Sequence, residues 1–352
     1  MRFPKAPAWS TLVTALTALS ACGDGNGPSE SSQALVYQEW TPAIDTGGLV
    51  RIKAGHIVRV MADGTGRTVL WEGTSGFGPP HVAPDRRILF RAGLGWLLLP
   101  AGEGQTAAPF TPPDTAATDP KWAPDGGDII LWRVPSPSGD YALGTALTDG
   151  PAIRITPDSL EALAADWSPD GTRIAFSARN AGTGLSHLYT VARNGSDLRK
   201  ITPDSLSITT APSWSHAGDR IAFLYGDVFT VAPDGTGLDN VTRIGTGEAS
   251  AFTGGVYWSP DDREMLSTET SSARLFRIKV DDGSMNNLHV MTWKMSTPWS
   301  PDGDRIAYFE YTQPDSRGQR ASVVVARVDG SEGIVVSIDS MAGYSPVWLP
   351  SE

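Results

Sequence analysis

One short pattern returns along the whole chain: a Trp, a Ser-Pro-Asp-Gly turn and an Ile-Ala-Phe run. Its clearest copies are DWSPDGTRIAF at 166–176, SWSHAGDRIAF at 213–223 and PWSPDGDRIAY at 298–308. Looser copies occur at 81–90, 121–131 and 257–267. The marker residues, 40 to 49 residues apart, are Val82, Trp122, Trp167, Trp214, Trp258, Trp299 and Trp348. This period predicts a series of similar small units rather than one irregular core.

Each unit contains four short runs that are typical of β-strands. In the unit that begins at residue 166, the turn at 168–171 leads to the branched and aromatic run at 173–176. A third run follows at 187–191, an Asn-Gly turn at 194–195 and a fourth run at 198–202. Asn-Gly and Asp-Gly between such runs are strong hairpin signals. We therefore predict a four-stranded antiparallel sheet for every unit.

Such a sheet has two apolar faces, and stacking the sheets around an axis buries both of them. The sequence thus predicts an all-β, seven-bladed β-propeller in which the marker tryptophans pack between neighbouring blades. Six units are complete, and the chain ends share the seventh. We expect 49–52, 56–60 and 67–70 to supply its second to fourth strands and 346–348 its first, so that about 49–70 and 346–350 form one closing blade.

The first residues are typical of a secretory signal. Arg2 and Lys5 precede an apolar run, and the Leu-Ser-Ala-Cys sequence at 19–22 resembles the lipobox of bacterial lipoproteins. Because Cys22 is the only cysteine, we expect a signal peptide at 1–21, a lipidated Cys22 with a polar tether at 22–34, and a propeller at 35–352. The alternative is an ordinary secreted protein with a chance cysteine at its cleavage site.

The run W-S-P-D-G-x-x-I-A-F, followed by L-Y-x-V and an Asn-Gly or Asp-Gly turn, resembles the WD-repeat-like propeller repeat of TolB-type proteins. The resemblance covers about 49–350. TolB carries a small α/β domain before its propeller and is soluble in the periplasm, whereas a tether and a lipid are expected here. Its peptidoglycan-associated lipoprotein partner is therefore not carried over. Related propellers precede α/β-hydrolase domains in oligopeptidases, but the chain contains no G-x-S-x-G motif.

Candidate catalytic groups are scattered in the sequence. The five histidines form no H-x-x-x-H or H-E-x-x-H pair; they are His56, His81, His187, His216 and His289. The recurring turn aspartates are positioned to bond their own backbone; they are Asp125, Asp170, Asp234, Asp261, Asp282, Asp302 and Asp329. We predict no catalytic, cofactor or metal site. Some propeller lyases do gather histidines from several blades around a metal in the channel.

Two hypotheses for function remain. The preferred one is a cell-envelope protein, lipid-anchored to a bacterial membrane on its periplasmic or surface face, whose propeller is a scaffold that binds a protein or a glycan at one rim. The alternative is a propeller enzyme, a polysaccharide lyase or hydrolase with its site in the central channel. The net charge of -11, without any basic run, argues against a nucleic-acid partner. We expect a monomer.

Overall fold

The computed structural model describes residues 33–44, 50–73, 78–112, 117–125, 129–135, 139–147, 153–245, 252–270, 272–292, 298–311, 321–337 and 346–350. All regular secondary structure in these ranges is β-strand. None of these residues belongs to a helix that is long and apolar enough to cross a membrane. The strands form seven antiparallel sheets, and these sheets are the blades of a propeller.

Strands are numbered in chain order, and the closing blade is blade 7. It contains β1 (Ala34–Ile44), β2 (Val50–Met61), β3 (Thr68–Gly73) and β27 (Val347–Trp348). Blade 1 contains β4 (His81–Val82), β5 (Ile88–Ala92), β6 (Gly95–Leu99) and β7 (Ala108–Phe110). Blade 2 contains β8 (Thr118–Trp122), β9 (Ile129–Pro135), β10 (Tyr141–Leu147) and β11 (Ile153–Arg154).

The remaining blades follow the same order. Blade 3 contains β12 (Leu160–Trp167), β13 (Arg173–Asn180), β14 (Ser186–Ala192) and β15 (Arg199–Lys200). Blade 4 contains β16 (Ser213–Trp214), β17 (Ile221–Tyr225), β18 (Asp227–Val231) and β19 (Asp239–Asn240). Blade 5 contains β20 (Phe252–Trp258), β21 (Glu264–Glu269), β22 (Arg274–Lys279) and β23 (Met285–Met291). Blade 6 contains β24 (Arg305–Tyr311), β25 (Ala321–Arg327) and β26 (Ile334–Val335).

The seven marker residues occupy one register position. Each pairs with an apolar residue of the second strand; the pairs are Val82–Ile88, Trp122–Ile130, Trp167–Ile174, Trp214–Ile221, Trp258–Met265, Trp299–Ile306 and Trp348–Leu35. In blade 6 this pair is an isolated bridge that takes the place of the first strand. Val82 therefore holds the Trp position of blade 1. The seven-bladed all-β fold predicted from the repeat is confirmed.

The closing blade has the predicted three-plus-one composition, but its second strand is not the predicted one. Trp348 pairs with Leu35 on β1, which begins at Ala34, the last residue of the predicted tether. The assignment of 49–52 to the second strand is wrong, because residues 50–52 open the third strand, β2. Gly55 interrupts the apolar pattern without ending this strand, since it pairs with Trp40 on one side and Gly73 on the other.

Buried apolar side chains hold the ring closed on both sides of blade 7. Leu35 and Tyr37 pack with Phe309 of blade 6, whereas Val36 packs with Phe90 of blade 1. Side chains alternate along a strand, so β1 supplies two interfaces at once. Five further buried clusters join the remaining neighbouring blades. Packing between blades, at roughly 25 cal/mol per Å² of apolar surface removed from water, is thus the main stabilisation of the ring.

Candidate functional site

The inner edges of the blades surround a central channel. Its cavity has a volume of about 940 Å³ and is lined by residues from all seven blades, ten of them prolines. This volume lies near the upper end of the range for small-ligand pockets, about 300–1,000 Å³. The channel is therefore large enough to be a binding site, and the side chains that line it determine which ligands it can bind.

The marker tryptophans join neighbouring blades beside this channel. Five indole Nε1 atoms donate a hydrogen bond of 3.0–3.1 Å to a backbone carbonyl of the preceding blade; the donor–acceptor pairs are Trp122–His81, Trp167–Lys121, Trp258–Ser213, Trp299–Tyr257 and Trp348–Pro298. Every acceptor directly precedes the marker residue of its own blade. The spacing of the repeat thus aligns each indole with a carbonyl one blade away.

Trp214 departs from this pattern. Its indole Nε1 is buried and has no hydrogen-bond partner among the residues that the structure describes. The equivalent acceptor is the Asp166 carbonyl, yet it is the Asp166 carboxylate that contacts this residue: its Oδ2 accepts from the Trp214 backbone N at 3.0 Å. A buried N–H without a partner costs about 1–3 kcal/mol. Blade 4 therefore carries a buried donor that no described residue accepts.

The seven residues that directly precede the markers form what we call the inner ring. They are His81, Lys121, Asp166, Ser213, Tyr257, Pro298 and Val347, and all of them line the cavity. On blades 1 to 4 the inner ring is polar or ionisable, and on blades 5 to 7 it is aromatic or apolar. The same backbone position thus carries a different side chain in each of the seven blades. The channel wall has a polar half on blades 1 to 4 and an apolar half on blades 5 to 7.

Ion pairs fix the charges of the polar half. Lys121 Nζ lies 2.9 Å from Asp166 Oδ1. Asp119, two residues before Lys121, also lines the cavity, and its Oδ2 lies 2.8 Å from Nη1 of Arg133 on the adjacent strand β9. Each carboxylate is therefore matched by one cation, and both pairs are partly exposed to solvent.

Burial controls the protonation of two other groups of the inner ring. It lowers the pKa of His81 to about 4; the nearby Asp119 carboxylate opposes this shift and the Lys121 ammonium supports it. Burial also raises the pKa of Tyr257 to about 12. Near neutral pH the imidazole is uncharged and the phenol is protonated, so each can donate one hydrogen bond and accept another.

A second ring, the turn rim, consists of the residues two positions after the markers. Six of the seven are proline; the members are Pro84, Pro124, Pro169, His216, Pro260, Pro301 and Pro350. Proline has no backbone N–H, so six turns present an apolar edge that needs no partner. His216 has both an N–H and an imidazole, and its side chain is 55% exposed.

Asp262 of blade 5 supplies the partner for His216. Its Oδ1 accepts from the His216 backbone N at 2.7 Å and lies 3.1 Å from His216 Nδ1, and its Oδ2 accepts from Ala217 N at 2.7 Å. Asp262 stands where Gly218 and Gly303 stand in blades 4 and 6, and it keeps the left-handed backbone of that position with φ of 57°. These two departures from the turn pattern are therefore in contact, and Arg86 holds the equivalent left-handed position in blade 1.

The other sequence candidates lie elsewhere. His56 lies in blade 7, 3.9 Å from both Glu39 and Glu72, and His187 lies 3.4 Å from Asp204. His289 is exposed on β23. None of these three histidines lines the cavity. Cys22, the expected lipidation site, lies outside the described residues.

Six of the seven turn aspartates bond within their own turns, whereas Asp125 pairs with Arg193 of blade 3. In the turn of blade 3, Asp170 Oδ1 accepts from Ser168 Oγ at 2.6 Å and from Thr172 N at 3.0 Å. The bond from Ser168 is the main cause that lowers the pKa of the Asp170 carboxyl. Within the described ranges, no group of three or more His, Cys, Asp or Glu side chains is arranged to hold a metal ion.

Sequence reasoning missed the inner ring, although its signal is present in the repeat. The markers and turns recur almost unchanged, while the residue just before each marker differs in every copy. A position that varies while the rest of the repeat stays constant is typical of a residue that faces a functional surface. A residue needed for packing between strands or blades would be repeated instead.

Comparison with known proteins gives a distant sequence relationship. No protein-family model matches the chain. A protein of Agrobacterium fabrum, described only as uncharacterised, is 28% identical over 199 residues, which are 54% of this chain and 53% of that protein. The match thus spans about half the length of this curated relative.

Similarity to solved structures is at the level of the fold. A TolB-like protein of Agrobacterium tumefaciens superposes with a TM-score of 0.54 and 18% identity, over 80% of this chain and 99% of that one. An oligogalacturonate lyase of Vibrio parahaemolyticus superposes with a TM-score of 0.57 and 12% identity, over 86% of this chain and 85% of that one. At these identities, TolB-like proteins and an enzyme share the propeller with this chain, and fold alone does not select a function.

Proposed function

We propose that this protein is a binding propeller whose ligand enters the central channel and contacts the inner ring. One observation carries the proposal: seven positions with the same register, beside the same tryptophan frame, bear polar groups on one half of the channel and apolar groups on the other. A ring with only a structural role would repeat one residue type, as the turn rim does. An asymmetric wall instead holds a ligand in one orientation.

We further propose that the propeller is a TolB-type protein of the bacterial envelope, anchored by lipid on Cys22. The Leu-Ser-Ala-Cys sequence at 19–22 and the WD-repeat-like pattern support this placement. In a Cys22→Ala variant the protein moves from the membrane fraction to the soluble fraction after cell disruption. A folded Cys22→Ala variant that stays with the membrane contradicts the lipid anchor without affecting the channel proposal.

A variant that fills the channel tests the binding role. Ser213→Tyr gives blade 4 the side chain that blade 5 carries at the equivalent position of the inner ring, so we expect the variant to fold. Immobilised Cys22→Ala protein, with and without Ser213→Tyr, is incubated with separate protein and polysaccharide fractions of a bacterial envelope. We expect a component that the open channel retains and that Ser213→Tyr releases at least about tenfold. Equal retention by both, or retention by neither, contradicts binding in the channel.

A second candidate is an enzyme that acts on a polysaccharide in the same channel. The specific observation in its favour is His81, an imidazole that is uncharged at neutral pH and lies close enough to Asp119 for the carboxylate to influence its pKa. Such a group can act as a general base. Incubation with envelope polysaccharides, followed by absorbance of unsaturated sugars and by reducing-end analysis, tests it. Product that disappears in His81→Gln supports the enzyme, and its absence leaves the binding role.

A further inference from the structure

The beginning of β1 shows on which side of the propeller the predicted tether joins it. Gln33 O accepts from Ala62 N at 2.9 Å, and Ala34 O accepts from Leu349 N at 2.9 Å. Ala62 opens the turn between β2 and β3, and Leu349 directly follows the marker Trp348. The chain therefore enters the closing blade at the end where these strands meet their turns.

Two faces of the propeller follow from this arrangement. In an antiparallel sheet the turns from the first strand to the second and from the third to the fourth lie at one end, and the loops from the second to the third lie at the other. We call these ends the turn face and the loop face. The described loop face includes 93–94 and 181–185. The described turn face consists of 62–67, 83–87, 100–107, 123–125, 168–172, 193–198, 215–220, 232–238, 259–263, 280–284, 300–304 and 328–333.

One mouth of the channel lies on the turn face, because five prolines of the turn rim and His216 line the cavity. The turn face is also acidic: its described ranges contain sixteen Asp or Glu residues and six Arg or Lys residues. Hydrogen bonds within the turns keep the carboxylates ionised, as the bond from the Thr236 side chain lowers the pKa of Asp234. Arginines at the adjoining strand ends pair with some of them, as Arg173 does with Asp197, but the excess stays negative. Anionic lipid headgroups therefore repel this face at short range, within about 10 Å at 0.1 M salt.

The length of the tether limits which face can approach a lipid on Cys22. Eleven steps along the chain separate Cys22 from Gln33, and a fully extended chain of this length spans at most roughly 36–40 Å. A path around blade 7 to the loop face runs past β2 and β3, roughly 10 Å, and along the 11 residues of β1, roughly 33 Å. This path is longer than the tether, and a path through the channel would use nearly all of it. The loop face therefore cannot lie against the membrane.

Resting on the proposed lipid anchor, we infer that the turn face is the side of the propeller that lies toward the membrane and that its acidic charge prevents docking on anionic lipid. The mouth of the channel on this face then opens into the gap between the propeller and the bilayer. A ligand that uses this mouth comes from that gap, which the tether keeps below roughly 40 Å. The loop face points away from the lipid and is the side that a large partner in solution can reach.

Single cysteines on the two faces measure the orientation. Cys22 is the only cysteine, and in the lipoprotein its sulfur carries the lipid, so one introduced cysteine is the only free thiol. Leu198→Cys on the turn face and Leu185→Cys on the loop face are a matched pair, because both leucines belong to blade 3 and are 39% and 40% exposed. Ala101→Cys and Leu94→Cys, at exposed positions beyond the two ends of β6, are a second pair in blade 1.

Energy transfer to the bilayer gives the readout. The lipidated variants are purified from bacterial membranes, labelled with a donor dye and added to vesicles of phosphatidylethanolamine and phosphatidylglycerol that contain a headgroup-labelled acceptor lipid. Circular dichroism reports whether each variant is folded. We expect transfer at least about twofold more efficient from Leu198→Cys than from Leu185→Cys, and the same order for Ala101→Cys and Leu94→Cys. Added salt increases transfer from the turn face in these vesicles but not in phosphatidylcholine vesicles, because only anionic headgroups repel it.

A longer tether tests the cause of the orientation. With about twenty Gly and Ser residues inserted after position 32, the tether is long enough to pass around blade 7. We then expect the difference within each pair of cysteine variants to fall by at least about half. A difference that the insertion leaves unchanged contradicts the inference, because the tether then does not set the orientation.

Three other results also overturn the inference. Equal transfer within the pairs, or stronger transfer from the loop face, contradicts it and leaves the lipid anchor intact. Transfer that does not respond to salt contradicts the repulsion from anionic lipid. If the protein purified from membranes does not bind the vesicles, the lipid anchor fails together with the inference, whereas the channel function has its own test in Ser213→Tyr.

Discussion

His216 and Asp262 compensate for each other across the boundary between blades 4 and 5. The histidine introduces a backbone N–H where six other turns have proline, and the aspartate accepts from that N–H at 2.7 Å. The carboxylate reaches it only because Asp262 occupies the turn position that glycine holds in blades 4 and 6. Two substitutions that would each disturb the turns are thus compatible as a pair.

This relationship predicts a large coupling energy between the two positions. In Asp262→Gly the N–H groups of His216 and Ala217 lose a charged acceptor, so we expect a loss of roughly 1–3 kcal/mol, partly offset by relief of the left-handed backbone. His216→Pro in the Asp262→Gly background removes one of these unpaired N–H groups and recovers most of the loss. Urea unfolding of the two single variants and the double variant gives the coupling. Additive effects within about 0.5 kcal/mol contradict the compensation.

The indole hydrogen bonds predict that equivalent tryptophans contribute unequally to stability. Trp258→Phe and Trp214→Phe remove the same atoms from equivalent positions, but among the residues that the structure describes only Trp258 Nε1 has an acceptor. We expect Trp258→Phe to lower the free energy of unfolding by about 0.5–1.5 kcal/mol more than Trp214→Phe, the net worth of one hydrogen bond. Parallel denaturant titrations measure the difference, and an equal loss in both variants is the contrary result.

Much of the architecture was predictable because a repeat fixes register as well as fold. Once Trp167 and Trp299 are aligned, the turn, the second strand and the blade count follow from local sequence. The closing blade was harder, because its marker, Trp348, lies at the opposite end of the sequence from its other three strands. Gly55 within β2 looks like a break in the sequence, and only pairing with Trp40 and Gly73 shows that the strand continues through it.

The site was less accessible than the fold for a physical reason. A channel wall is assembled from residues about 45 positions apart, so Lys121 and Asp166 are neighbours only after the ring has closed. In the repeat, His216 stands where other turns have proline and Asp262 where blades 3, 4 and 6 have glycine, but the sequence does not indicate that the two residues touch. Nor does any local pattern indicate that Trp214 Nε1 has no acceptor among the described residues while Trp258 Nε1 has one.

The lowered pKa of His81, caused mainly by desolvation, predicts a pH dependence of stability. Its folded pKa of about 4 lies below the ordinary value of 6.5. Above pH 6.5 the folded and unfolded states are both neutral, and the full stability is present. As the pH falls from 6.5 to 4, only the unfolded state takes up the proton, so stability falls by at most about 1.4 kcal/mol per pH unit. Below pH 4 this residue causes no further change.

Comparison with His81→Gln isolates this contribution from the acidic groups. We expect the difference in the free energy of unfolding between wild type and variant to be constant above pH 6.5 and to become less favourable to the wild type down to pH 4. NMR titration of the His81 ring provides an independent value, with no chemical-shift change until the pH approaches 4. A ring that titrates near 6.5 contradicts the burial argument.

The short segment at 346–350 predicts where the ring opens. Trp348 donates to Pro298 O of blade 6 and pairs with Leu35 of blade 7, while Arg86 of blade 1 donates to Pro350 O through Nε and Nη2 at 3.0 and 2.8 Å. Because this short segment contacts three blades, we expect Trp348→Ala to lower the free energy of unfolding by about 3–5 kcal/mol. Amide hydrogen exchange in β1 and β5 should be faster in this variant.

Leu94→Ala, at a side chain that is 97% exposed, is the control. If Trp348→Ala is as stable as this control, the strand that contains Trp348 does not hold the ring closed, and packing between the other strands of the blades is sufficient.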